Sequence, residues 1–177
     1  LNSSQISSLT PLQISSLSPS ILNSLRIEKL SSSQIYAIST QTIPDLDMSV
    51  IRSLTSGQIQ ALSTGQIRSF TPTQVGALPG AGLQIFTSVQ MQALEVEDIA
   101  SLSSPQILSL RADQLNGLGS SNWRVLKPET VGGLGTSQVT ALSSLTIKSF
   151  SSDQILALRT AQIAALTTMQ IGLISSE

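Results

Sequence analysis

From Leu30 onward the chain repeats every eight residues without a break in register, and the same frame extends back to Leu1 except for one short unit, LRIEK at 25–29. Cut this way, it holds 21 full octads and that five-residue unit. Position one is apolar in all 22 units, and position six is apolar in all 21 octads. Gln fills position five in 13 of them and Ser, Ala or Gly fills position eight in 17, giving the consensus L-[ST]-x-x-Q-[IV]-x-[AS]. A period of eight cannot be one long helix. At about 100° per residue the apolar stripe would rotate by about 80° with each unit and smear around the cylinder. The chain must therefore turn between octads.

Each octad carries the start signals of a short helix in the right order. Ser or Thr at position two with Gln three residues later is a capping box, and the flanking apolar positions one and six form a hydrophobic staple. Pro11, Pro19, Pro72 and Pro128 all stand at position three, the first helical residue, where a missing N–H does no harm. Glu97, Asp113, Glu129 and Asp153 lie at position four, near the helix start, and Arg52, Arg68, Arg124 and Lys148 at position seven, near its end. This is the order of charge that the helix dipole favours. The frame predicts a helix over about positions three to eight of every octad.

The fold class expected is all-α, a solenoid of short capped helices, one per eight residues. A β-solenoid is the alternative, since Ile, Val and Thr are common, but the spacings of five and three put positions one and six on opposite faces of a strand. A second rhythm lies inside the first. Octads starting at 38, 54, 70 and on to 166 carry Gln at position five in seven of nine, whereas those starting at 30, 46, 62 and on to 158 do so in four. The second set instead has a charge at position two in five: Asp47, Glu95, Arg111, Lys127 and Arg159. This alternation predicts a 16-residue coil of two paired helices. Residues 1–29 form N-terminal repeats, offset from the rest or forming a distinct cap through the short unit, and residues 30–177 form one continuous array. The stretch 117–135, with Trp123 and five of the eleven Gly, is expected to drift from the pattern.

Composition bounds the chemistry. The chain has neither His nor Cys, so the commonest general base, the thiol nucleophile and the usual zinc ligands are missing. Asp45 with Asp47, and Glu95 with Glu97 and Asp98, are its acidic clusters, and neither has the ligand spacing and Gly of a calcium loop. Ser and Thr recur at a capping position, so none stands out as a nucleophile. No enzyme activity, cofactor or metal is expected. A net charge of −1 with nine scattered Lys and Arg gives no footprint for nucleic acid, and no apolar run approaches the roughly 18 residues of a membrane span.

Two stretches, LTPLQISSL at 9–17 and FTPTQVGAL at 70–78, resemble the opening helix of transcription-activator-like effector repeats. That family would imply DNA recognition. Here the unit is far shorter, the base-reading loop is missing and the basic charge is absent, so the likeness is one of capped helix starts. Across its whole length the chain is similar to L-T-x-x-Q-I-x-A arrays of large bacterial secreted or surface proteins. That resemblance implies an extracellular or cell-surface location.

A solenoid exposes a stacking face at its terminal coils unless a polar cap covers it. Both ends of this chain are themselves repeats, LNSSQISS and LTTMQIGL. The expectation is a segment of a longer array, or subunits that stack end to end into a fibre or stalk, with the chain itself as partner. The second function expected is a protein- or glycan-binding module of an adhesin-like protein. Its candidate ridge is Arg52, Arg68, Arg111, Lys127, Lys148 and Arg159.

Overall fold

A computed structural model describes residues 2–78 and 80–174. The octad frame holds throughout, with one short helical element per unit. Among the described residues twenty are α-helices of four to seven residues, and two are 3-10 turns at Ile27–Lys29 and Ile43–Asp45. At Pro72–Ala77, Gln74 N–H donates to Thr71 Oγ1 (3.2 Å) while Thr71 N–H donates to Gln74 Oε1 (3.0 Å), the capping box expected. Where position two carries no hydroxyl, the Gln still does its half. The N–H groups of Arg111, Gly135 and Arg159 donate to Gln114, Gln138 and Gln162 at 3.0, 2.8 and 2.7 Å. In the octads that carry it, glutamine rather than the hydroxyl is thus the constant member of the cap.

Helices close on a bond from the next position-one N–H to the position-six carbonyl, as from Leu78 N–H to Val75 (3.1 Å). Most position-one and position-two residues are then extended: Leu62 has φ −61°, ψ 130° and Ser63 has φ −71°, ψ 158°. Gly119 departs from this pattern, with φ +81° at position two, a conformation that only glycine adopts freely.

Successive elements stack on those three units away, which gives three columns. One runs Met48–Ser53, Pro72–Ala77, Val96–Ala100, Ser120–Val125, Ser144–Lys148, Thr168–Ile174. A second runs Ser32–Tyr36, Ser56–Ala61, Gly80–Ile85, Ser104–Ser109, Pro128–Val131, Ser152–Leu156. The third includes Thr64–Arg68, Ser88–Gln92 and Ala112–Gly117. The all-helical solenoid is therefore present, but its coil is three helices and about 24 residues long, where the alternation of octads predicted two helices and 16. A two-helix coil would need each corner to reverse the chain. Two extended residues make a wider turn, and three of them return the chain to the column it left.

Positions one and six fill the interior. From Ile6 to Ile147 every position-six side chain is at most 2 % exposed, Trp123 included. Trp123 donates its indole N–H to Leu115 (3.1 Å), and its ring lies 5.1 Å from that of Phe150. A void of about 10 Å³ among Ile35, Ile51, Leu62 and Phe70 is wholly apolar and holds a single water at most. The side chains themselves occupy the space a ligand would need.

The short unit keeps this interior intact. Leu25 stands at position one and Ile27, 1 % exposed, at position six. The residues missing are those of the first helical turn, and the 3-10 turn at Ile27–Lys29 is what remains.

Candidate functional site

The residue that ties coil to coil is the position-five glutamine. Its Oε1 is taken by the cap, and its amide nitrogen reaches back to an earlier coil. Gln66 Nε2 donates to the carbonyls of Ile35 and Ile38, both at 2.8 Å, 31 and 28 residues earlier. Gln90 repeats this on Ile59 and Leu62 (3.1 and 3.0 Å), and Gln106 on Val75 and Leu78 (3.0 and 2.9 Å). Every position-five Gln from Gln34 to Gln170 makes such a bridge. Gln34 spans the short unit, so its acceptors, Ile6 (3.0 Å) and Leu9 (2.8 Å), stand 28 and 25 residues back, three fewer than elsewhere. The bridge joins an octad to two earlier ones, through the position-six carbonyl of the fourth unit back and the position-one carbonyl of the third.

A coil of this kind has two unlike faces. The leading face offers glutamine amides and position-one Leu; the trailing face offers backbone carbonyls and position-six Ile. In the first coil, Gln5 and Gln13 are exposed, with Oε1 bonded to the N–H of Asn2 and Thr10 and the amide NH₂ unbonded among the described residues. In the last coil, Ile163 and Ile171 are 40 % and 48 % exposed, and the carbonyls of Phe150, Leu158 and Leu166 receive no glutamine among the described residues. Those are the groups that the bridge joins inside the stack.

The six residues of the expected ridge fall on three columns. Arg52 and Lys148 belong to the first, Lys127 caps a helix of the second, and Arg68, Arg111 and Arg159 belong to octads of the third. Arg68 lies 3.8 Å from Glu95, an exposed pair. Arg111 donates to Asp113 (3.1 Å) and to the Gln84 carbonyl, and its hydrogen bond holds the Asp113 carboxyl below its ordinary range. Arg159 reaches the Leu134 carbonyl (3.5 Å). Lys148 instead stands beside Arg124, one coil earlier, across a groove of about 400 Å³ that Ser149, Phe150, Ser151 and Ser152 complete. Arg124 was not among the six. A coil length of 24 residues is the signal that finds it, since 148 minus 24 is 124.

Asp45 and Asp47 sit in one turn, where Asn23 bridges them by donating to the Asp45 carbonyl (3.1 Å) and accepting from Asp47 N–H (2.9 Å). In the other acidic cluster, Asp98 is 1 % exposed, and burial pushes its carboxyl up to about 6. Among the described residues no three acidic side chains group closely enough to hold a metal ion, and no helix is long and apolar enough to cross a membrane.

No curated protein matches the chain. The ALTTAQ repeat family matches it over residues 50–80 and 131–168, and the first of these stretches contains ALSTGQ, Ala61 to Gln66, a helix start together with its bridging glutamine. Over these two stretches the chain is similar to the ALTTAQ repeat, and the octads around them continue the same array.

Proposed function

We propose that the chain is a non-enzymatic structural array that assembles end to end, as a segment of a bacterial extracellular or cell-surface fibre or stalk. The observation that carries this reading is the self-complementarity of the coil. Its leading face presents donors and its trailing face acceptors, in the pairing that the internal bridges already use. Contacts of this head-to-tail kind do not close on themselves and propagate into filaments. Electron microscopy of the concentrated 177-residue chain is expected to show ordered fibres; small monodisperse particles and nothing else would overturn the reading.

A second reading, a binding module for an acidic glycan or peptide, is favoured by the groove between Arg124 and Lys148, neither of which lies within ion-pair distance of a carboxylate among the described residues. Under it, dextran sulfate should bind at low salt and be released as salt screens the two charges. Changing both residues to Glu should abolish that binding while leaving assembly intact.

A further inference from the structure

Asp98 occupies a position at which the array otherwise places a hydrogen-bond donor or an uncharged side chain. From Gln34 onward, the position-five residues other than Gln are Thr42, Val50, Gly82, Asp98, Asn122, Thr130 and Thr146. Thr130 keeps half of the bridge, donating to the Leu102 carbonyl (3.2 Å) 28 residues back. Asp98 is the ionisable member of the set, and it is 1 % exposed. The spacings of 31 and 28 residues put the carbonyls of Ile67 (98 minus 31) and Phe70 (98 minus 28) where a glutamine at 98 would donate. An ionised carboxylate only accepts. Asp98 Oδ2 accepts from Glu95 N–H (3.0 Å), which preserves the cap but brings no donor to the earlier coil.

The Glu95 N–H offsets the charge in part, and burial outweighs that offset. Glu95 and Glu97 on the same octad add to the charge, and both push the Asp98 carboxyl up, behind the larger effect of burial. From the Thr64–Arg68 helix comes Arg68, whose guanidinium is exposed and directed at Glu95. The Pro72–Ala77 helix stacked on one side has no charged residue, and the Ser120–Val125 helix on the other contributes Arg124, which lines the groove beside Lys148. The chain neighbours Ser88–Gln92 and Ser104–Ser109 are uncharged.

We infer that the seam between the Asp98 octad and the earlier turn at Ile67 and Phe70 is a proton-sensitive joint, closed when Asp98 is neutral and loosened when it is ionised. The carboxyl in the folded chain titrates at about 6, above its ordinary 3.8. Its stabilising contribution is therefore full below about pH 4, is lost as the pH rises through about 6, and changes no further above that. Between pH 4.5 and 7.5 the local opening constant should rise on the order of thirty-fold.

Hydrogen exchange, corrected for intrinsic rates, tests this on the full chain. Amides of residues 67–70 and 95–102 should lose protection as the pH rises from 4.5 to 7.5, relative to the seams that Gln66 and Gln106 bridge. Asp98→Asn should remove that difference, and Asp98→Gln should remove it and raise protection at pH 7.5 as well. The inference is overturned if the wild-type seam shows no such loss, or if Asp98→Asn shows the same loss. The first of these outcomes needs no variant to fold.

Discussion

Gln74→Leu is expected to destabilise the array by about 2–6 kcal/mol, a loss far larger than its size-conserving character would suggest. Gln74 is fully buried, and its amide spans two chain levels: Oε1 accepts from Thr71 N–H (3.0 Å), and Nε2 donates to Ile43 (2.8 Å) and Leu46 (2.9 Å). Ile43 keeps a second bond from Leu46 N–H. The substitution therefore leaves three groups without their partner: Thr71 N–H and the Leu46 carbonyl, at about 1–3 kcal/mol each, and the carbonyl of Pro44, an exposed residue that water can serve. Gln74→Glu should cost about 3–5 kcal/mol at pH 7, because it keeps the acceptor but sets a buried charge against two carbonyls. Part of that loss should return on acidification, as the carboxyl regains a proton and with it a donor. Chemical denaturation of both variants at pH 4.5 and 7 measures the two effects. A leucine variant as stable as the parent would remove the glutamine from its place as the tie between coils.

The second large effect expected is at Gly132 and Gly133. A Cβ on Gly133 would lie 3.0 Å from Ser104 Cα and closer still to its side chain, and one on Gly132 would lie 2.6 Å from the Ala157 carbonyl oxygen. Ser104 and Ala157 belong to the units one coil before and one coil after, so the Pro128–Val131 helix is gripped from both sides. Alanine at both positions must push the column apart, at about 1–3 kcal/mol for each overpacked site. The comparison that isolates sterics is Gly57→Ala. A Cβ there meets nothing within 4 Å, and the residue lies inside a helix, so the change should stabilise by about 0.5–1 kcal/mol. Opposite shifts in melting temperature are the expected result. Equal shifts would mean that backbone propensity, and not the approach of neighbouring coils, decides what these glycines do.

These residues show what the sequence can and cannot reveal. The helix of each octad was legible because every signal for it, cap, staple, Pro at position three and charge order, lies within eight neighbouring residues. The coil length was not. When all units share one pattern, an octad fits equally well against a neighbour two, three or four units away, and the choice depends on the angle of a two-residue corner. The alternation of octads pointed to 16 residues, whereas the columns stack on the third unit back and the glutamine bridge takes one carbonyl from the fourth unit back and one from the third. The bridge itself was half visible. The capping oxygen of Gln has a sequence partner at position two, whereas its amide donates to carbonyls, which every residue possesses. The ridge failed to gather for the same reason: Lys148 shares a groove with Arg124 because 24 residues separate them, while Arg68, Arg111 and Arg159 turn to nearby carboxylates and carbonyls.

The direction of the glutamine bridge carries a consequence for how such a chain is made. Each amide reaches only towards the N-terminus, over about 30 residues, to carbonyls that were synthesised earlier. A nascent chain emerging N-terminus first therefore never waits for distant downstream sequence; each new octad finds its acceptors already in place. Growth is a one-way ratchet, in which each glutamine-bearing octad latches one amide as it is added. Such short-range closure favours rapid folding, since little loop entropy is lost before the first contacts form.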